Sequence, residues 1–202
     1  MENFFERVTP FWPAGRRDLH WHILPTPAEA TALAAPYQAI TAPGLRNVPV
    51  DGMHCTLLHA IGLDRDAIDI AALLRDVRHA TENVEPFALT FDRPSVGTVG
   101  VEIGGWPGKP FTALVDIVTA AMDRAGAAFK AGPSRYPHIS LGYTSTGAED
   151  LNAVTLKTAL ASIDRPVCGT VLADRLHLVE QWHDGERIMW NPVAEVPLGG
   201  AS

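Results

Sequence analysis

The chain has 202 residues, of which 47% are apolar and 19% are charged, so intrinsic disorder over its whole length is excluded. Its 16 basic and 23 acidic residues give a formal charge of −7 when all eight histidines are neutral. This balance, without a run of Lys or Arg, argues against a protein that coats nucleic acid or an anionic membrane. A small anionic substrate remains compatible with it.

Neither a membrane span nor an export signal is expected. The longest apolar stretch, 113–122, is interrupted by Asp116 and is shorter than the ~20 residues that a bilayer crossing needs. The first residues lack a basic start followed by an apolar run, which predicts a cytoplasmic protein. Cys55 and Cys168 form no C-x-x-C pair, so we expect reduced, buried thiols rather than a disulfide or a metal knuckle.

The N-terminal part of the chain differs from the rest in its pattern. Residues 1–18 mix aromatic residues, Pro and Arg without a clear period. We therefore predict an N-terminal extension laid over a single domain of residues 19–202.

The periodic pattern begins with a predicted strand at 19–24. Thr26 and Glu29 form a capping box around Pro27, which predicts that a helix begins there. We expect this helix to bend or stop near Pro36, because proline lacks the N–H that helix bonding needs.

The next segments predict a strand at 53–61, a helix that begins at Asp64, and a hairpin. The hairpin strands are 87–91 and 96–103, where β-branched and aromatic residues alternate, and Arg93-Pro94-Ser95 is the expected turn.

The second half of the chain repeats this order. A helix is predicted over 111–129 and a strand over 138–144. Thr146-Gly-Ala-Glu149 has the form of a second capping box, which predicts a helix to about 163. Residues 175–182 and 187–196 predict a hairpin around Asp184-Gly185.

Short strands joined by hairpins and single helices favour an α+β fold over a doubly wound parallel sheet. The sequence contains no G-x-G-x-x-G and no Walker loop. Folds that bind a nucleotide cofactor through those motifs therefore lose their usual support.

The most informative feature is a repeated motif, His-x-Thr/Ser-Leu, which occurs twice at positions 84 apart. The first copy contains His54 and Thr56, and the second contains His138 and Ser140. Both copies lie in predicted strands, where side chains two positions apart share a face. Each copy therefore offers an imidazole beside a hydroxyl.

Two such strands that face each other suit in-line attack at a phosphodiester. One imidazole can accept the proton of the nucleophile while the other donates a proton to the leaving oxygen. The hydroxyls can donate hydrogen bonds to the non-bridging phosphate oxygens. This chemistry needs no metal ion and no cofactor, and the motifs leave open which histidine is the acid.

With these motifs, residues 19–196 resemble the 2H phosphoesterase superfamily, which includes bacterial RNA 2′,5′-ligase-like proteins and 2′,3′-cyclic-nucleotide phosphodiesterases. The opening strand 20–25, the intermediate strand 86–89 and the closing strand 176–180 add to the likeness. The resemblance implies a bilobal α+β fold, in which two antiparallel sheets carry helices on their outer faces and enclose a central cleft.

The resemblance also implies roles for single residues. His54 and His138 would be the catalytic acid and base, and Thr56 and Ser140 would bind the phosphate. Tyr143, five positions after His138, would pack on a base or ribose.

Further substrate-binding candidates are weaker. His22 on the opening strand is the residue expected to point into the cleft. Arg135, in the loop before the second motif, could meet a second phosphate or a terminal carboxylate, or could be a solvated arginine. Trp106 could stack on a base or fold back onto its own lobe.

An alternative is a zinc site in which His20 and His22 join His54 or His138. It has less support, because no carboxylate or cysteine lies at a familiar metal-binding spacing.

The remaining histidines have structural interpretations. His59 is expected on the face opposite His54, His79 at a helix C-terminus, and His183 in a solvated turn.

The sequence thus predicts a monomeric, metal-independent phosphoesterase. Its substrate would be a 2′,3′-cyclic phosphate or a 2′,5′-linked phosphodiester of a nucleotide or a short RNA or tRNA end. Two alternatives remain open: a non-catalytic protein that binds such phosphates, and an RNA 2′,5′-ligase that runs the reverse chemistry.

Overall fold

The computed structural model describes residues 1–126, 128–163 and 169–200. Cys168 lies outside the described residues, whereas Cys55 is a free, buried thiol. The strands are β1 Asp18–Ile23, β2 Leu45–Asn47, β3 Cys55–Ile61, β4 Phe87–Val96, β5 Gly100–Trp106, β6 Lys130–Pro133, β7 His138–Thr144, β8 Gly169–Ala173, β9 Arg175–His183 and β10 Ile188–Pro197. The α-helices are α1 Phe4–Val8, α2 Pro27–Ala34, α3 Ile70–Thr81, α4 Gly108–Arg124 and α5 Ala153–Ala161.

The strands form a sheet in the order β10-β9-β1-β3-β7-β5-β4-β8, with β6 added beside β3 and β2 beside β7. Every strand pair is antiparallel, and β3 meets β7 through the single register pair Cys55 and Ile139. This weak seam divides the sheet into two halves, one ending in β3 and the other in β7. The α+β fold with two antiparallel lobes is confirmed, with the difference that the two sheets join at the seam.

The core lies between the sheet and the helices that pack on it, with α4 against β3 and α5 against β4. Trp21, Phe91 and Phe111 are among the largest fully buried side chains. Because side chains alternate along a strand, the other face of β1 carries His20 and His22. None of the described helices is long and apolar enough to cross a membrane.

The start of α2 is confirmed in detail. Thr26 Oγ1 accepts a hydrogen bond from Glu29 N, and Glu29 Oε2 accepts one from Thr26 N at 2.7 Å. The helix ends at Ala34 and continues as a short 3₁₀ turn through Pro36.

Two other helix starts were predicted too early. In α3 the cap is Asp69, and a separate 3₁₀ turn, Arg65–Ala67, precedes it. In α5 the cap is Asn152, because Gly147 adopts a left-handed conformation and begins a 3₁₀ turn instead of a helix. The predicted capping box at 146–149 was therefore wrong.

The end of α4 and the first hairpin also differ from expectation. The helix ends at Arg124, and Gly126 follows with a φ of 77°, which stops the helix before the predicted residue 129. Residues 130–133 then form β6. Arg93-Pro94-Ser95 lies inside β4, and the chain turns instead between β4 and β5 at 97–99. The hairpin of β9 and β10 is confirmed.

Candidate active site

The first motif lies at the seam between the two halves of the sheet. His54 directly precedes β3, and Thr56 lies within the strand. Their exposed fractions are 7% and 4%. The strand therefore begins two residues later than predicted.

A β-bulge at Leu57 controls where the following side chains point. In the pairing of β1 with β3, Trp21 lies opposite Leu58 and His22 lies opposite Thr56, so Leu57 has no partner in the register. Its carbonyl accepts a hydrogen bond at 2.9 Å from Ser134 N, just after β6. The extra residue reverses the alternation of side chains along β3.

The second motif has a bulge at the equivalent position. In the pairing of β5 with β7, Val101 lies opposite Gly142 and Glu102 lies opposite Ser140, so Leu141 has no partner. Its carbonyl accepts a hydrogen bond at 2.9 Å from Val48 N, just after β2. In both motifs the leucine is thus the bulged residue. The carbonyl of each leucine is hydrogen-bonded by the backbone N–H of the residue that follows a short strand, β6 for Leu57 and β2 for Leu141.

The two catalytic candidates share one hydrogen-bond arrangement. His54 Nδ1 lies 2.8 Å from the carbonyl oxygen of Gly52, and His138 Nδ1 lies 3.2 Å from that of Tyr136. A carbonyl oxygen can only accept, so each Nδ1 is protonated and donates. This bond fixes the tautomer of each ring and leaves Nε2 to exchange a proton with a substrate.

Both motifs line one pocket with a volume of about 310 Å³. His54, Thr56, His138 and Ser140 all contribute to its wall. The structure therefore brings together the four residues that the repeated motif singled out.

The bulges also bring the fifth residue after each motif histidine into this pocket. These residues are His59 and Tyr143. The expectation that His59 lies on the opposite face from His54 was wrong, because it assumed a regular strand. We define the first half-site as His54, Thr56 and His59, and the second half-site as His138, Ser140 and Tyr143.

A model of the 2'-5' RNA ligase superfamily matches residues 27–185. The chain belongs to this superfamily. Membership supports a phosphoesterase or ligase-like activity.

Solved structures of other proteins have the same fold as this chain. The chain is similar to E. coli LigT complexed with 3'-AMP, with a TM-score of 0.66 and 17% identity over 90% of this chain and 98% of LigT. It is also similar to TT0787 of Thermus thermophilus, with a TM-score of 0.64 and 16% identity over 93% of this chain and 100% of that protein. Among curated proteins the sequence has no match.

The histidines of the first half-site pack against two further histidines, the buried His20 and His22. His20 Nδ1 lies 3.0 Å from His59 Nδ1, and the ring of His22 stacks on that of His54 at 4.4 Å. Burial lowers the pKa of His54 to about 4, against a hydrogen bond to Gly52 that raises it. Burial likewise lowers the pKa of His59 to about 4, and holds those of His20 and His22 well below the usual value.

The second half-site is organised around Tyr143. Burial raises the pKa of Tyr143 to about 12, while a hydrogen bond with Ser140 acts in the other direction. The ring of Phe4 lies 4.5 Å from that of Tyr143. Tyr143 therefore lines the pocket as expected, but Phe4 covers part of the ring that was assigned to a base.

Three other sequence candidates lie away from the pocket wall. His22 is fully buried beneath His54, so His20 rather than His22 represents the opening strand in the pocket. Arg135 is exposed and does not line the pocket. Trp106 is 45% exposed and donates from Nε1 to Asp92 Oδ2 at 3.1 Å, also outside the pocket.

The N-terminal wall of the pocket was not predicted from the sequence. Phe4, Val8, Phe11 and Trp12 line it, although residues 1–18 were expected to be an extension outside the site. His183, expected in a solvated turn, is buried and lies with Nε2 2.7 Å from the carbonyl oxygen of Trp12. The spacing of the four apolar wall residues, i, i+4, i+7 and i+8, is typical of one face of a helix and was the signal available in the sequence.

The charges of the wall are uneven. Among the described residues that line the pocket, none is Lys or Arg, and Glu102 supplies a carboxylate that accepts a hydrogen bond from Tyr136 Oη at 2.5 Å. In the ranges that the structure describes, no group of three or more His, Cys, Asp or Glu side chains is placed to share a metal ion. The zinc alternative therefore finds no ligand set there.

Proposed function

We propose that this protein is a phosphoesterase that acts as a monomer on a 2′,3′-cyclic phosphate or a 2′,5′-linked phosphodiester of a nucleotide or RNA end. The observation that carries the proposal is the pair of bulged strands, which aim two histidines and two hydroxyls into one pocket. Membership of the superfamily supports it. So do the complexes of E. coli LigT with 3'-AMP and with NADP+, which show nucleotides on a protein of the same fold.

The phosphate would sit between the two motifs. Thr56 and Ser140 each have a hydroxyl on the pocket wall, and these donate hydrogen bonds to the non-bridging oxygens. Such bonds strengthen as negative charge accumulates on those oxygens in the transition state. The carboxylate of Glu102 disfavours any second anion at this place.

In the proton transfers, His54 would be the base and His138 the acid. Burial keeps the His54 imidazole neutral at pH 7, because its pKa is about 4, so His54 Nε2 accepts the proton of the attacking water. The water oxygen bonds to phosphorus, and the bond from phosphorus to a ribose oxygen breaks. That ribose oxygen takes a proton from Nε2 of His138, the less buried of the two histidines.

The organic part of the substrate would pack on the apolar end of the pocket. Phe4 and Phe11 of the N-terminal segment, with Val101 and Ile188, supply that surface. Aromatic rings suit a nucleobase, since stacking on them tolerates any base. Phe11 is 41% exposed at the pocket wall.

The test is an assay of 2′,3′-cyclic nucleotides and 2′,5′-linked dinucleotides with excess chelator present. We expect turnover that falls about 10²-fold or more in His54→Ala and in His138→Ala. His79→Ala is the matched control, because the His79 side chain is 88% exposed and lies on α3. Activity that survives both site substitutions, or that chelator alone abolishes, contradicts the proposal, and binding without product identifies the non-catalytic alternative.

A further inference from the structure

A second pocket, with a volume of about 420 Å³, adjoins the catalytic pocket. Tyr143 and Ile188 line both pockets, so these two side chains form the boundary between them. The rest of its wall comes from Thr41, from β2, from the segment 48–52 and from the turn between β9 and β10.

The second pocket carries the positive charge that the catalytic pocket lacks. Arg46 and Arg187 line it together with Glu186. Arg46 Nη2 lies 3.6 Å from Glu186 Oε2, and both side chains are 59% exposed. An ion pair so long and so exposed contributes little free energy, so the guanidinium of Arg46 can readily exchange this partner for a stronger anion.

This pocket also touches the supports of both half-sites. Gly52 lines it, and the carbonyl of Gly52 accepts the hydrogen bond from His54 Nδ1. Arg46 lies opposite Tyr143 in the pairing of β2 with β7, and Tyr143 lines the catalytic pocket together with Ser140. A ligand whose phosphate lies between the two motifs can therefore reach the arginines by passing over Tyr143.

We propose that Arg46 and Arg187 bind a second phosphate of the substrate, the one next to the phosphate that reacts. This inference rests on the proposed function, and it adds a subsite to it. Guanidinium groups suit phosphate because their N–H donors match two of its oxygens at once. The arginines of the second pocket then orient the substrate by holding its second phosphate, while the reacting phosphate lies between His54 and His138.

The second phosphate could come from two sources, and the experiment separates them. One is the 5′-phosphate of a single nucleotide, and the other is the phosphodiester of the preceding nucleotide in an RNA chain. Three substrates distinguish these: a nucleoside 2′,3′-cyclic phosphate, the same compound with a 5′-phosphate, and a dinucleotide that ends in a 2′,3′-cyclic phosphate.

The variants are Arg46→Ala, Arg187→Ala and the double variant, with Arg78→Ala as the matched control. Arg78 is also exposed, but it lies on α3 and lines neither pocket. For the substrates with two phosphates we expect kcat/KM to fall about fivefold or more in the double variant, mainly through KM. For the substrate with one phosphate the change should stay within about twofold. Raising the salt concentration should lower kcat/KM for the substrates with two phosphates more in the wild type than in the double variant.

Binding measurements give a readout that does not depend on turnover. By calorimetry, the wild type should bind adenosine 3′,5′-bisphosphate more tightly than 3′-AMP, and the double variant should lose this preference. Equal losses on all three substrates, or an unchanged preference for the bisphosphate, overturn the subsite. Absence of turnover together with an arginine-dependent preference overturns the proposed reaction and retains the subsite.

Discussion

The two half-sites share a backbone design and differ in their surroundings. Both place the bulged leucine after the hydroxyl residue, and both hold Nδ1 of the histidine on the carbonyl two residues earlier. In the first half-site the ring of His54 is buried and stacks on that of His22, whereas in the second His138 is partly exposed and its ring lies 5.2 Å from that of Tyr136. We propose that this difference gives the two copies of the motif different roles, with His54 as the base, because burial favours the neutral form of its imidazole.

The largest expected effect is a loss of stability in acid that comes from the first half-site. An unfolded histidine has a pKa near 6.5, and burial lowers the pKa values of His54 and His59 to about 4 in the folded protein. Between these values the unfolded chain binds more protons. The free energy of unfolding is therefore highest above about pH 6.5. It falls as the pH drops towards 4, by roughly 3 kcal/mol for each such histidine.

Urea unfolding at pH 7.5 and at pH 4.5 measures this effect. His59→Gln should reduce the difference in unfolding free energy between the two pH values. Tyr143→Phe, the substitution at the equivalent position of the second half-site, should leave the difference unchanged, because Tyr143 does not titrate in this range. A difference that is equal in the wild type and in His59→Gln would mean that His59 is not held neutral by the fold.

The next effect concerns the two hydroxyls. Thr56→Val and Ser140→Ala should each lower kcat about 10²-fold, because each removes a donor to the charge that develops on phosphate. Thr170→Val, at an exposed position of β8, is the control. Steady-state kinetics on one cyclic nucleotide measure kcat for each variant. An unchanged kcat in either Thr56→Val or Ser140→Ala would show that this hydroxyl does not stabilise the transition state.

A smaller effect is expected at Tyr143. The Ser140 side chain lies close enough to lower the pKa of the Tyr143 hydroxyl, so Tyr143→Phe should lower kcat about fivefold by removing a polar neighbour of Ser140. In a Ser140→Ala background the same substitution should cost nothing further, since the partner is already gone. A double-mutant cycle with additive losses would show that Tyr143 acts independently of Ser140.

The smallest effect is expected at the N-terminal wall. Phe11→Ala should raise KM for a nucleotide substrate about threefold by removing an aromatic surface. Trp106→Ala is the matched control, because the two rings have similar exposure, 41% and 45%, and only Phe11 lines the pocket. A rise in KM for Trp106→Ala alone would place the base at the other aromatic residue.

The sequence was sufficient to predict the fold class and the two motifs, because both depend on local patterns. The offsets within His-x-Thr/Ser-Leu, the capping box at Thr26 and the turn at Asp184-Gly185 are readable without tertiary structure. The two copies of the motif predicted strands at His54 and His138, and the structure pairs the residues that follow them, Cys55 and Ile139.

The two β-bulges could not be predicted from the sequence. A bulge is set by the pairing of two strands, so neither Leu57 nor Leu141 indicates it by residue type, and His59 was assigned to the wrong face as a result. The predicted start of α5 was wrong for another reason. Thr146 and Glu149 have the residue types of a capping box, but the left-handed backbone of Gly147 between them begins a 3₁₀ turn instead of a helix. In the N-terminal wall the helical spacing of Phe4, Val8, Phe11 and Trp12 was overlooked, because only residues 4–8 form an α-helix and the pattern is too short to stand out.

The dependence of kcat/KM on pH tests most directly whether the two half-sites act as base and acid. We predict a bell-shaped profile whose acidic limb lies below pH 6, because burial lowers the pKa of His54 and activity is lost when that base is protonated. In profiles measured on the residual activity of each variant, that of His54→Ala should lack the acidic limb and that of His138→Ala should lack the alkaline limb. A flat profile, or loss of the same limb in both variants, would contradict the division of roles between the half-sites.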